Sequence, residues 1–194
     1  MQNFYPAFAY LLGSIPFGLI FSNLFGNGNL RSSGSKNIGA TNVLRTQGKI
    51  LGGMAFFFDF SKGLTACYLL QTESEILNLV IIMAPVIGHI FPVWLKFNGG
   101  KGIATYLGVL CSLDIFVFLI SGTLWIFTFF ITKISSVSGL VSVISSLFIF
   151  GYIKYTSHLD FFNQLCALIC IVVLIIIKHR ENIRRILNNE ELRI

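Results

Sequence analysis

Apolar residues run through this chain in long stretches, and polar residues are confined to short blocks between them. Stretches of spanning character cover 4–25, 50–70, 77–95, 103–113, 115–132, 138–153 and 160–177. A hydrocarbon core roughly 30 Å thick takes about 20 residues of α-helix per crossing. The pattern therefore predicts an all-α, polytopic integral membrane protein, folded as a single membrane-embedded domain over 1–194. The pair 103–113 and 115–132 reads either as one long tilted helix or as two short helices hinged near Asp114. The first stretch has no basic residues ahead of it and is too long for a signal core, so it reads as a retained helix.

Composition supports the pattern. Of 194 residues, 55% are hydrophobic and 11% charged, whereas a soluble domain carries about one-quarter charged residues. Soluble classes are excluded on that ground. Charge then gives direction, because Lys and Arg mark the cytoplasmic side of a membrane protein. Twelve of the fourteen basic residues, all but Lys62 and Lys154, fall in blocks that can share one face, while Glu73, Glu75, Asp114 and Asp160 fall in the opposite connections. Placing Lys101 and Lys133 on one side requires two crossings between them. Seven transmembrane helices follow, with the N-terminus outside and the C-terminus cytoplasmic. Cys67, Cys111, Cys166 and Cys170 all sit in apolar stretches, where they read as buried small hydrophobes. They suggest no metal site and no redox chemistry.

The polar blocks carry the candidate chemistry. Between His89 and Thr105, Gly99, Gly100 and Gly102 enclose Lys101. Glycines let backbone N–H groups approach a ligand, and a helix starting near Ile103 would add its dipole, so the block reads as an anion site of phosphate type. A flexible turn with one solvated lysine is the alternative. A nucleotide P-loop is excluded, since no glycine stands at Leu95 and Gly102 follows the lysine where Ser or Thr is needed. The block from Gly26 to Gly48 brings together Ser35, Asn37, Thr41, Asn42 and Arg45. Arginine suits bidentate capture of phosphate or carboxylate, and a helical turn there would put Thr41 and Arg45 on one face. A solvated linker is the alternative.

Three further features are less decided by sequence. Asp59 and Lys62, three residues apart inside a spanning stretch, read as a functional pair or as a structural ion pair, with Gly63 permitting close helix packing. The serines of Lys133–Gly139 could cap the following helix or join the anion site. After the last stretch, the run from Lys178 to Glu191 is either a lipid-facing basic tail or a helix presenting His179 and Asn182 on one face. His89 has no acidic partner nearby in sequence and reads as a packed or capping residue.

Four blocks, Gly-Ser-Lys-Asn-Ile-Gly-Ala-Thr-Asn-Val-Leu-Arg (34–45), Asp-Phe-Ser-Lys-Gly (59–63), Gly-His-Ile-Phe-Pro…Phe-Asn-Gly-Gly-Lys-Gly-Ile-Ala-Thr (88–105) and His-Arg-Glu-Asn-Ile (179–183), together resemble the acyl-phosphate-dependent glycerol-3-phosphate acyltransferases of bacteria (PlsY type). The resemblance covers nearly the whole chain in order. It implies seven helices and an enzyme of the bacterial inner membrane, with its active site facing the cytoplasm. The implied reaction moves a fatty acyl group from acyl phosphate to the 1-hydroxyl of sn-glycerol 3-phosphate, giving lysophosphatidic acid and phosphate. Carried over by position, Ser35, Arg45 and Lys101 hold glycerol phosphate, with His179 and Asn182 completing the pocket. Thr41, Asn42, the amides of Gly99, Gly100 and Gly102, and Ser136 cradle the acyl phosphate head. Departures are Lys36 where many members have glycine, Lys133 where arginine is common, and Gly139 where serine is frequent.

The resemblance implies no cofactor, no metal and no nucleic acid. The implied partners are the two substrates, membrane lipids and other enzymes of phospholipid synthesis. No cysteine, and no serine with a His–acid relay, suggests covalent catalysis. Nor does any histidine have an Asp five residues on, since Trp94, Asn163 and Arg184 stand there. The expected mechanism is direct attack by a glycerol hydroxyl oriented by Asn182, with phosphate taking the proton; His179 as a base is the rival. A small transporter of a phosphorylated anion is the competing class, although no repeated halves are visible. A non-catalytic membrane scaffold is a third.

Overall fold

In the computed structural model, which describes residues 2–26, 28–159 and 161–194, all regular structure is helical. Asn27 of the first polar block and Asp160, expected on the face opposite the basic residues, lie outside the described residues. Ten α-helices follow in chain order: α1 (Tyr5–Ser14), α2 (Phe17–Phe25), α3 (Ala40–Gln47), α4 (Lys49–Leu69), α5 (Glu75–Ile90), α6 (Ile103–Leu113), α7 (Ile115–Thr132), α8 (Ser135–Thr156), α9 (Phe162–Lys178) and α10 (Arg180–Leu187).

The first apolar stretch is broken, as its proline dictates. Pro16 cannot donate a helical hydrogen bond and pushes the residue before it out of helical geometry, and Ile15 is extended. The carbonyl this frees is not left bare: Lys62 Nζ donates to Ile15 O at 2.9 Å. The break at Asp114 resolves the other open choice in favour of two helices. Asp114 is extended, and its carboxylate caps α7 by accepting from the amides of Phe116 and Val117 at 2.9 and 3.2 Å. It also meets Lys154 at 2.8 Å, which gives one of the two basic residues left over from the charge pattern its partner.

Among the described residues, four helical segments are long and apolar enough to cross a membrane: Gln2–Phe25, Glu75–Leu95, Ile115–Thr132 and Ser135–Thr156. A fifth arises if α9 and α10, which meet at a 56° bend, are taken together. The other two expected crossings differ for separate reasons. α4 has the length, at 21 residues, but Asp59 and Lys62 in its middle lower its apolar character. α6 has only 11 residues, about 16 Å of helix at 1.5 Å per residue. α6 is enclosed by its neighbours, whereas α4 turns its Asp59–Lys62 face inward and leaves Phe57, Tyr68 and Leu69 exposed; glycine brings the two together. A Cβ on Gly63 would stand 2.1 Å from Thr105 O, and one on Gly108 would stand 2.0 Å from Phe60 O, so α4 and α6 approach backbone to backbone in the small-residue manner of membrane helices.

A central core joins Val86 and Ile90 of α5, Tyr106 and Leu110 of α6, Phe150 of α8 and Leu168, Ile171 and Ile175 of α9. One expectation from sequence fails here: of the four cysteines only Cys67 is buried, and Cys170 is exposed on its helix. Its run carries more apolar residues than the core has room for, and the surplus faces outward.

Candidate active site

Four helix N-termini meet at one cavity. Its lining includes Gly39, Ala40 and Thr41 at the start of α3, Gly102, Ile103 and Ala104 at the start of α6, Ser135 and Ser136 at the start of α8, and His179 and Asn182 at the start of α10. The first N–H groups of a helix have no intrahelical acceptor, and the macrodipole places partial positive charge there. Four such ends at one cavity make it a place for anions. Arg45 and Lys101 add full charges, and Phe56, Leu107 and Trp125 supply an apolar side. The same lining holds Ser35, Thr41, Asn42, Arg45, Lys101, Gly102, Ser136, His179 and Asn182, nine of the eleven residues singled out from sequence.

Each block reaches the cavity for a local reason. Thr41 and Arg45 are four residues apart on α3 and so share a face. Thr41 Oγ1 meets Ser135 Oγ at 2.9 Å, tying the first block to α8. Arg45 Nε is buried without an acceptor, while one Nη donates to Leu192 O at 3.4 Å. Burial lowers the Arg45 pKa, with Glu191 opposing the shift and Arg185 adding to it, but a guanidinium stays charged.

Asn42 lines the cavity, yet its side chain is committed to its own loop. Its Oδ1 accepts from the Ser35 amide at 2.8 Å, and its Nδ2 donates to the carbonyls of Asn37, Ser33 and Leu30 at 2.8, 3.1 and 3.2 Å. It shapes the loop that presents Ser35. The serine block does not cap α8 through its side chains; Ser135 and Ser136 turn their hydroxyls to Thr41 and Glu191.

The glycine block corrects part of the sequence expectation. The amides of Gly99 and Gly100 do not cradle an anion, because they donate to Ile90 O and His89 O at 3.1 and 3.0 Å. These carbonyls end α5, so the loop folds back as a cap on that helix. Both glycines are needed for closeness: a Cβ on Gly99 would be 2.2 Å from His89 O, and one on Gly100 2.1 Å from His89 Nε2. Only Gly102, at φ +90°, reaches the cavity with Lys101.

Beneath the loop, Lys62 Nζ meets Asp59 at 2.8 Å and donates to His89 Nδ1 at 2.8 Å. His89 is thus buried and packed, as its sequence context suggests, and it is the floor on which Gly100 rests. Its acidic partner is Asp59 at 3.5 Å, thirty positions earlier and invisible to a local reading.

At the far wall, Lys101 donates to Asn182 Oδ1. Burial, against the opposing charge of Glu191 and with help from Arg185 and Arg45, holds the Lys101 pKa down at about 8. His179 Nδ1 lies 2.8 Å from Ile175 O. A carbonyl can only accept, so Nδ1 carries the proton and Nε2 is left as an acceptor. Burial, reinforced by Lys101, brings the His179 pKa down to about 4, and the ring is neutral at neutral pH. The residue that sequence reasoning missed is Glu191, whose carboxylate accepts from Asn182 Nδ2 at 2.6 Å, Ser136 Oγ at 2.9 Å and Arg185 Nε at 2.7 Å.

Comparison with known proteins agrees with this geometry. The family model described as glycerol-3-phosphate acyltransferase matches residues 4–189. The chain belongs to the glycerol-3-phosphate acyltransferase family. Curated relatives of that name include one from Pelagibacter ubique (strain HTCC1062), 41% identical over 94% of this chain and 92% of its own length. Another, from Brucella canis, is 44% identical over 96% of this chain and 90% of its own. Among solved structures, the glycerol 3-phosphate form of PlsY (YgiH), an integral membrane glycerol 3-phosphate acyltransferase, superposes with a TM-score of 0.91 at 38% identity, covering 100% of this chain and 95% of that one. Its lysophosphatidic acid form gives 0.87 at 36% identity, covering 99% and 94%. The protein is accordingly a membrane acyltransferase acting on glycerol 3-phosphate, in keeping with a cavity that is cationic at its polar end and apolar along one side.

Proposed function

We propose that the protein transfers a fatty acyl group from acyl phosphate to the 1-hydroxyl of sn-glycerol 3-phosphate, releasing lysophosphatidic acid and inorganic phosphate. The observation that carries this reading is the convergence of four helix N-termini with Arg45 and Lys101 on a cavity with an apolar side. A reaction between two phosphorylated compounds, one of them also a lipid, calls for that combination. Ser35, Arg45 and Lys101 hold the phosphate of glycerol phosphate, with His179 and Asn182 closing its pocket. Thr41, Ser136 and the start of α6 at Gly102 face the acyl phosphate head, Asn42 shapes the loop that carries Ser35, and Gly99 and Gly100 hold Lys101 in place by capping α5.

The hydroxyl oxygen attacks the acyl carbonyl carbon, a C–O ester bond forms, and the bond from that carbon to the phosphate oxygen breaks. Phosphate is a good leaving group, so positioning and charge stabilisation carry most of the rate. The departing phosphate takes the hydroxyl proton. Asn182 orients that hydroxyl, together with His179 Nε2, an acceptor on a neutral ring. Its low pKa makes it a weak base and favours the substrate-assisted route.

The chain crosses the bacterial inner membrane seven times as one membrane domain, N-terminus outside, with the cavity at the cytoplasmic end. In support, Arg45, Lys101 and Arg185 gather at the cavity, while Asp114 and Lys154 pair at the far end of α6. α4, with its ion pair turned inward, and α6, enclosed by protein, are the two further crossings, and the substrates are drawn from the cytoplasm and the inner leaflet. Purified protein in detergent tests this function. Phosphate release that requires both acyl phosphate and glycerol 3-phosphate supports it, whereas vesicle uptake of glycerol 3-phosphate without turnover would replace it with a transporter.

A further inference from the structure

The segment after α10 turns back into the cavity. Glu190 N donates to Arg185 O at 2.7 Å, which reverses the chain, and Ile194 N donates to Lys133 O at 3.0 Å, which fastens it against the α7–α8 junction. Between these points Glu191 enters the polar end. Its carboxylate takes hydrogen bonds from Ser136, Asn182 and Arg185, and the next residue offers its carbonyl to Arg45. This tail brings negative charge to the anion end of the cavity, beside Lys101, Arg45 and Arg185, while Asp59, also in the lining, is paired with Lys62.

Of the donors that Glu191 uses, Asn182 closes the glycerol phosphate pocket and Ser136 faces the acyl phosphate head, so its carboxylate stands where the phosphates of the substrates come together. A carboxylate satisfying Ser136 Oγ, Asn182 Nδ2 and Arg185 Nε denies them to any other anion, and its charge repels an incoming phosphate at these distances. We propose that Glu191 is a tethered ligand of the anion site, which glycerol 3-phosphate must displace, so that residues 189–194 set how readily the enzyme takes up that substrate. This rests on the reading of the cavity as the substrate site. Binding is conditional on the tail leaving, and the apparent affinity equals the intrinsic affinity multiplied by the fraction of molecules with the tail out. A phosphate dianion offers three acceptor oxygens and more charge than a carboxylate, so it displaces Glu191 where a carboxylate ligand does not. The site thereby discriminates against monoanions.

Calorimetry on purified protein in detergent tests the proposal, with inorganic phosphate and sn-glycerol 3-phosphate as separate titrants against the full chain, Glu191→Gln, and a chain ending at Asn188. Both variants should bind each titrant about tenfold more tightly than the full chain. Hydrogen exchange at the Ile194 amide of the full chain should quicken when glycerol 3-phosphate saturates it. Unchanged or weaker binding in both variants, or slower exchange with ligand, would overturn the proposal; slower exchange would make the tail a lid that closes over substrate. Tighter binding of both titrants in a protein that shows no acyl transfer would leave the tail's role standing and overturn the proposed reaction instead.

Discussion

Lys101 donates to the side-chain oxygen of Asn182 across 81 residues of sequence. That bond joins the glycine block to the helix at the other end of the chain, and it brings a charge for phosphate within reach of an amide for a hydroxyl. Lys101→Ala should lower kcat/KM for glycerol 3-phosphate by about 10²–10³, the cost of removing one charge-assisted contact from a buried anion site. Asn182→Ala should lose a similar factor, and the double variant should lose much less than the product, since the two act as a unit. Steady-state phosphate release measures all three. Independent, multiplicative losses would contradict the coupling.

The lowered pKa of Lys101 sets an alkaline limit. The amine is charged below about 8 and neutral above it, so contact with phosphate weakens as pH rises through that value. The profile of kcat/KM against pH should be level near neutrality and fall about tenfold per unit above the limit. Lys101→Arg, slower but permanently charged, should lack the fall. With His179 neutral down to about 4, the histidine should contribute no inflection between pH 6 and 7. An inflection there that disappears in His179→Ala would establish it as the base.

Gly100 and His89 should be coupled through space. Gly100→Ala places a methyl 2.1 Å from His89 Nε2, which must move the loop carrying Lys101. Overpacking of this kind costs about 1–3 kcal/mol, and displacement of Lys101 should cost activity as well. Adding His89→Ala should restore part of the activity lost in Gly100→Ala. A double variant no more active than Gly100→Ala alone would mean that His89 is not the floor of the loop.

Lys36 has φ +59°, a conformation that costs a residue with a Cβ about 1–2 kcal/mol. Glycine at this position avoids that cost but gives back about 0.5–1 kcal/mol in chain entropy. Lys36→Gly should therefore stabilise the protein by about 0.5–1 kcal/mol with little change in kcat, as a thermal melt in detergent and the phosphate assay would show. A lower melting temperature would contradict this.

What sequence could and could not reveal follows from the reach of each interaction. Thr41 with Arg45, and His179 with Asn182, were legible because helical spacing alone brings each pair to one face. A helix start near Ile103 was legible from its glycines. Pro16 is a standing sign of a break, yet an unbroken apolar run from Phe4 to Phe25 masked it. Gly99 and Gly100 were misread because a glycine needed for packing on His89 looks, in sequence, like one needed for an anion. Glu191 left no signal: its partners lie 6, 9 and 55 residues away, at no helical period, and only the reversal at Glu190 brings it home. Asn42 looked like a ligand because its four partners are backbone groups, which sequence does not distinguish.

The central claim is that the cavity joins two phosphorylated substrates and uses phosphate as the leaving group. A panel of acyl phosphate, acyl-CoA and acyl carrier protein donors, each given to purified protein with glycerol 3-phosphate, tests it most directly. Lysophosphatidic acid and inorganic phosphate should appear in equal amounts with acyl phosphate, and neither product with the thioesters. Lysophosphatidic acid formed from a thioester, or formed from acyl phosphate without matching phosphate, would contradict the account.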